Sequence, residues 1–329
     1  MQILLFLFLV LVFIVVATAK FKLHPFLSLV IAAVIMGFAA SLNGSTIVAK
    51  LAEGFGDTLG SIGIIIAFGT IIGAFLEKSG GTRVMADAIL KAIGVKRSAL
   101  AMNMTGFIIS IPVFCDSGFV ILSALNKALS KKSGMSLVVL AISLAAGLYA
   151  THVFIPPTPG PLAAAAALDA DIGLVILLGL IVAVPASLAG YFWARYIGKK
   201  IHISVDENFK MNDEVKDLPG IRASIAPIFV PIILIALKSI ADYPTHPFGE
   251  GILQQALNFV GNPIIALFAG VLLAFNLMKG SKSLRFDWVS RGLKDAGVII
   301  LITGAGGAFG NVLRASGIGD VIGSSLSSL

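Results

Sequence analysis

Long apolar runs separated by short polar stretches set the pattern of this chain. Residues 3–19, 25–42, 58–76, 136–154, 172–196, 224–241, 263–278 and 297–313 are predominantly apolar. Each is close to the ~20 helical residues that cross a hydrocarbon layer of ~30 Å. Backbone groups in lipid have to be satisfied internally, and these runs do not alternate as barrel strands do, so they predict transmembrane helices. A further apolar segment, 98–133, is interrupted by polar residues at its middle and predicts a helical hairpin. The polar stretch 199–222 is the one sizeable linker. Ala17-Thr18-Ala19 resembles a signal-peptide cleavage site. No Lys or Arg precedes the first run, however, and it has a counterpart at 224–241, so we read it as a retained span.

Composition agrees with that pattern. Apolar residues make up 57% of the 329 and charged residues 12%, with a mean hydropathy of +1.00; soluble domains carry about 25% charged residues. A lone cysteine, Cys115, excludes an intrachain disulfide and a cysteine-based zinc cluster, and no HExxH or CxxC occurs, so neither metal nor cofactor is expected. The net charge of +7 sits in loops between apolar runs, where it reports topology and calls for no nucleic acid.

Counting those charges orients the chain. Lys20 and Lys22, then Lys78 to Arg97, then Lys127 to Lys132 and Arg195 to Lys200 mark inside loops, whereas 243–262 has no Lys or Arg and lies outside. Both ends of 98–133 are then cytoplasmic, which makes it a re-entrant hairpin. Residues 67–80 (AFGTIIGAFLEKSG) and 304–317 (GAGGAFGNVLRASG) align at an offset of 237, matching Gly69 with Gly306, Gly73 with Gly310 and Ser79-Gly80 with Ser316-Gly317. The expected organisation is therefore an inverted repeat. Residues 1–198 form a first copy of five spans plus the hairpin 98–133, 199–222 a cytoplasmic linker, and 223–329 a second, incomplete copy of three spans. Both Gly-x-x-x-Gly pairs read as seats for close helix packing.

Two polar interruptions carry candidate chemistry. In Ser110-Ile-Pro-Val-Phe-Cys-Asp-Ser-Gly118, Pro112 lacks an amide hydrogen and breaks the helix, and Asp116 is a carboxylate at membrane depth. Asp116 either serves a transport site or caps the helix that follows, and a helix N-terminus is also where a carboxylate ligand docks. In Thr151-His-Val-Phe-Ile-Pro-Pro-Thr-Pro-Gly-Pro161, four prolines and a glycine in seven residues cannot continue a helix. His152 and Thr158 can hydrogen-bond a hydroxylated substrate there, and imidazole suits reversible protonation, which makes Asp116 and His152 the proton-coupling candidates. Asp169 and Asp171 start the next helix, and Glu77 and Lys78 close a span at the interface. An intramembrane enzyme would have only Ser117 and His152 to work with, and the inverted duplication argues against a channel.

These motifs carry a resemblance. GFGDTLGSIGIIIAFGTIIGAFLEKSGG (54–81), IPVFCDSGFVIL (111–122) and HVFIPPTPGPLAAA (152–165) resemble the gluconate permease family within the larger ion-transporter superfamily. The resemblance implies an all-α, multi-pass transporter of the bacterial inner membrane, with a re-entrant hairpin and an unwound helix in each half. It implies import of gluconate or a related sugar acid, with D-serine as another cargo in the family, driven by proton symport. It implies a substrate site at Cys115, Asp116, Ser117, Gly118, Thr158, Pro159 and Gly160, and a possible homodimer. A full inverted pair would need about 435 residues, so the reading also expects a C-terminally truncated chain, and with it a non-transporting remnant as the alternative function.

Overall fold

The computed structural model describes residues 2–205, 217–242, 247–249, 251–278 and 282–327. Among the described residues it is helical throughout, an all-α polytopic membrane protein. In chain order the helices are α1 (Gln2–Ala19), α2 (Pro25–Ala39), α3 (Gly44–Lys78), α4 (Gly81–Ile93), α5 (Ser98–Ile109), α6 (Cys115–Ser133) and α7 (Leu137–Phe154). They continue with α8 (Pro159–Ala167), α9 (Ile172–Ile197), α10 (Ile221–Ala241), α11 (Ile252–Val260), α12 (Pro263–Ala274), α13 (Lys282–Ala315) and α14 (Ile318–Ser327).

Among the described residues, six stretches are long and apolar enough to span a membrane: α1, α3, α7 with α8, α9, α10 and α13. A seventh is the pair α11 and α12–Leu277, bent by 64°. The expected span at 25–42 is shorter, because α2 ends at Ala39 after 15 residues, about 22 Å of helix. The expected spans at 58–76 and 297–313 are much longer. α3 starts at Gly44, where Asn43 Oδ1 accepts from the Thr46 amide at 2.7 Å, and it runs on through a polar turn held by Lys50 and Glu53, also 2.7 Å apart. α13 starts at Lys282 and carries an Arg291–Asp295 pair at 3.2 Å. Charged residues paired three or four apart are compatible with helix, so polarity alone marked those ends too late.

The chain divides into two compact units, with the boundaries inside α3 and α13. The first comprises Met1–Ile64 and Gly297–Leu329. Its core gathers Val10 of α1, Ala32, Ala33 and Met36 of α2, and Phe309 and Val312 of α13. α3 and α13 approach backbone to backbone here: a Cβ on Gly54 would stand 2.5 Å from the Gly307 carbonyl oxygen, and Asn311 Nδ2 donates to the Lys50 carbonyl at 3.0 Å. The expected packing seat at Gly306 and Gly310 lies elsewhere, because neither glycine meets anything within 4 Å. Gly304 and Gly307 make the contact, against Phe55 and Thr58. α1 is apolar on all sides and leaves Leu5, Phe8, Leu9 and Val15 exposed, as a lipid-facing helix does.

The second unit, Ile65–Ala296, holds both predicted breaks. Its centre is the contact of α5, α7 and α9. Gly106 and Gly147 interlock: a Cβ on Gly106 would lie 2.5 Å from the Leu144 carbonyl, and one on Gly147 would collide with the Asn103 carbonyl. The buried Asn103 then ties three helices together. Its Nδ2 donates to the carbonyls of Ser143 (3.0 Å) and Ser187 (3.3 Å), and its Oδ1 accepts from the Ser187 hydroxyl at 2.9 Å. Asp171 caps α9 as expected, accepting from the Leu174 amide at 2.8 Å and the Ser239 hydroxyl at 2.6 Å. The start of the linker is pinned, since the Leu137 amide donates to the Ile203 carbonyl at 2.9 Å; residues 206–216 of that linker lie outside the described residues.

Interlocked glycines predict a sharp position dependence. Gly147→Ala forces α5 from α7 and should destabilise the purified protein by about 1–3 kcal/mol, read as a lower unfolding temperature in detergent. Gly60→Ala, in open space on α3, should be neutral or stabilising by up to ~1 kcal/mol through helix propensity.

Candidate functional site

The interruption in 98–133 is a helical hairpin. α5 ends at Ile109, the chain turns through Ser110–Phe114, and α6 begins at Cys115. The turn Val95–Arg97, at the far end of α5, lies against α6, so α6 returns along α5. Pro112 explains the turn: it offers no amide to α5 and disfavours helix in the residue before it. Phe114 occupies the N-cap position without a side-chain cap. Asp116 therefore lies inside the first turn and does not cap the helix. The amides of Cys115, Asp116 and Ser117 have no acceptor among the described residues; the next, Gly118, donates to the Phe114 carbonyl at 2.9 Å.

The second interruption breaks α7 from α8 at residues 155–158, within one 31-residue span. Thr158, the N-cap of α8, turns its hydroxyl back to donate to the Ile155 carbonyl at 2.7 Å, so it caps nothing ahead of it. Pro159 and Pro161 have no amide hydrogen and the Leu162 amide bonds the Thr158 carbonyl at 3.2 Å. Gly160 supplies the one unused donor of that first turn. Both breaks thus present uncapped helix N-termini, which favour anions through free amides and the helix dipole.

α3 holds both breaks on one face. A Cβ on Gly73 would lie 2.5 Å from the Pro112 carbonyl oxygen, and one on Gly69 would lie 3.3 Å from Pro157 Cγ. The glycine pair is therefore a seat for two broken segments, where the sequence pattern suggested a neighbouring helix. Two cavities flank the hairpin tip and share Thr70, Pro112, Val113 and Phe114 in their walls. One adds Gly69, Thr158 and Pro159. The other adds Gly73, Glu77, Ser117 and Asp295. A third cavity is walled by isoleucine, leucine and six prolines including Pro227, Pro231 and Pro263, and offers a hydroxylated anion no side-chain partner.

The predicted site residues divide accordingly. Thr158 and Pro159 line the first cavity and Ser117 the second. Cys115 is buried, with its thiol donating toward Asp116 Oδ1 at 3.7 Å. Gly118 packs on α7, where a Cβ would stand 2.8 Å from Leu148 Cδ2. The two interruptions approach one another at the hairpin tip, where the His152 ring meets Phe114 edge-on at 6.0 Å, two residues before Asp116. His152 Nδ1 and the Ser110 hydroxyl are buried without a hydrogen-bond partner, a state that calls for water or ligand. Sequence reasoning missed Thr70 and Asp295. Replacing Gly73 with Ala should displace the tip and change the alkylation rate of Cys115 by N-ethylmaleimide several-fold, while Gly310→Ala should leave that rate unchanged.

Comparison with known proteins places this geometry in a family. The model of one family, GntP family permease, matches residues 1–329. An uncharacterized permease of Haemophilus influenzae is 37% identical over 325 residues, covering 94% of this chain and 67% of the relative. A gluconate permease of Pseudomonas aeruginosa is 37% identical over 318 residues, covering 94% and 70%. A D-serine transporter of Escherichia coli is 33% identical over 324 residues, covering 96% and 72%. The family match takes in residues 1–329, and the chain spans between 67% and 72% of the length of these three relatives.

Proposed function

Because the chain belongs to the GntP family of permeases, a multi-pass inner-membrane transport protein and not an enzyme, we propose that it imports gluconate or a related sugar acid by proton symport. The observation that carries this reading is the pair of uncapped helix starts, at Cys115 and Pro159, seated on one face of α3 beside the tip cavities. A carboxylate needs such donors, and the intramembrane surroundings raise their worth. In this reading the substrate carboxylate takes the amides of Cys115 to Ser117 and of Gly160, with Gly118 and Pro159 shaping the approach. Thr158 and the buried Nδ1 of His152 meet the hydroxyls. Asp116 and His152 exchange the coupling proton.

The two relatives named for gluconate and D-serine share a small carboxylate bearing a hydroxyl, which is the chemistry such a site selects. The repeated segments support a two-copy carrier whose copies insert in opposite senses and alternate access to the site.

Reconstitution tests the proposal. Proteoliposomes holding the full chain should accumulate labelled gluconate when the outside is made acidic, and D-serine should compete if the site reads only the carboxylate and one hydroxyl. Asp116→Asn should lower the uptake rate by at least about tenfold, equivalent to ~1.4 kcal/mol. Accumulation indifferent to the proton gradient, or an Asp116→Asn variant as fast as the parent, would reject the coupling scheme.

A further inference from the structure

The second cavity at the hairpin tip contains a carboxylate that the scheme above leaves unused. Glu77 sits half-buried at the end of α3, and its carboxylate makes no hydrogen bond or ion pair among the described residues. The same wall carries Asp295 of α13, and Arg291 one turn earlier on α13 is bonded to it at 3.2 Å. The hairpin contributes Phe114 and Ser117, with Asp116 the neighbouring residue. Among the described residues lining this cavity there is no Lys, Arg or His, and Lys78, beside Glu77 in sequence, is exposed. Asp295 has its cation; Glu77 has none.

Glu77 stands half-buried on a cavity wall with no cation beside it, so a proton is the charge available there to offset a second anion. The cavity it faces adjoins the one that takes the substrate anion, because both use the wall Thr70, Pro112, Val113 and Phe114. Seven residues of α3 separate Thr70 from Glu77, about 10 Å of helix, well within electrostatic range in a low-dielectric interior. Substrate entering as an anion therefore raises the proton affinity of Glu77, and a proton on Glu77 favours anion entry. The two events are linked in both directions.

We infer that Glu77 is a second proton-binding station of the transport cycle, on the flank of the hairpin tip lined by Ser117 and Asp295. It takes a proton from the water on one side, becomes a neutral acid while the anion is bound, and returns the proton to water on the other side when the anion leaves. Asp116 with His152 and Glu77 then bracket the tip. The inference rests on the proton-symport reading of the same site.

Two assays on proteoliposomes with the full chain separate the possibilities. Counterflow exchanges labelled for unlabelled gluconate and needs no net proton movement; accumulation under an imposed proton gradient does. Glu77→Gln should retain measurable counterflow, with its pH dependence flattened, and should lose accumulation at least tenfold; Glu77→Asp should recover part of it. A Glu77→Gln variant that accumulates as well as the parent overturns the inference while leaving symport intact. Loss of both activities in Glu77→Gln, with unfolding temperature unchanged, also overturns it by assigning Glu77 to substrate binding. If the parent exchanges gluconate but never responds to the gradient, the symport reading fails first and this inference with it.

Discussion

The closest contact on which this site depends is between a glycine and a carbonyl. Gly73 of α3 has the Pro112 carbonyl oxygen where any other residue would have its Cβ, and one turn earlier Gly69 has Pro157. Broken backbone inside a membrane is tolerated only when it is buried in protein or lines a wet cavity. A helix with a bare face at Gly69 and Gly73 gives two such breaks a common wall. The tip of the hairpin and the start of α8 then stand beside the same cavities without a side chain between them and α3.

From that constraint the chemistry follows. A proline-broken helix must restart, and a restarted helix exposes amides. Where Asn43 and Asp171 cap helices elsewhere in the chain by accepting such amides, neither Phe114 nor Thr158 does so. The site keeps its donors free. Around them the lining is mostly apolar, which strengthens each donor–anion contact. The hairpin is held still by contacts with no give: Gly106 against the Leu144 carbonyl, and Asn103 bonded across three helices.

Much of this was legible in the sequence, and the failures have physical reasons. The apolar runs gave the spans at α1, α7, α9 and α10 to within three residues, because an uninterrupted apolar stretch has few alternatives in a membrane. Proline placed both breaks. Polarity misled at the ends of α3 and α13, where Lys50–Glu53 and Arg291–Asp295 pairs let helix continue through charged turns. The glycine pairs signalled close approach but not its object. Gly69 and Gly73 meet prolines, and the contact of α13 falls on Gly304 and Gly307 instead of Gly306 and Gly310. The meeting of Phe114 with His152, 38 positions apart, is a product of hairpin return and helix packing that no local pattern encodes.

The central claim is that the restart of α6 at Cys115 is where substrate binds. Cys115 is the chain's one cysteine, so alkylation by N-ethylmaleimide reports on that place without any substitution. Gluconate, added to the reconstituted protein, should slow the reaction in a saturable way, with a non-hydroxylated carboxylate of similar size protecting less. An alkylation rate that gluconate leaves unchanged at every concentration would contradict the account.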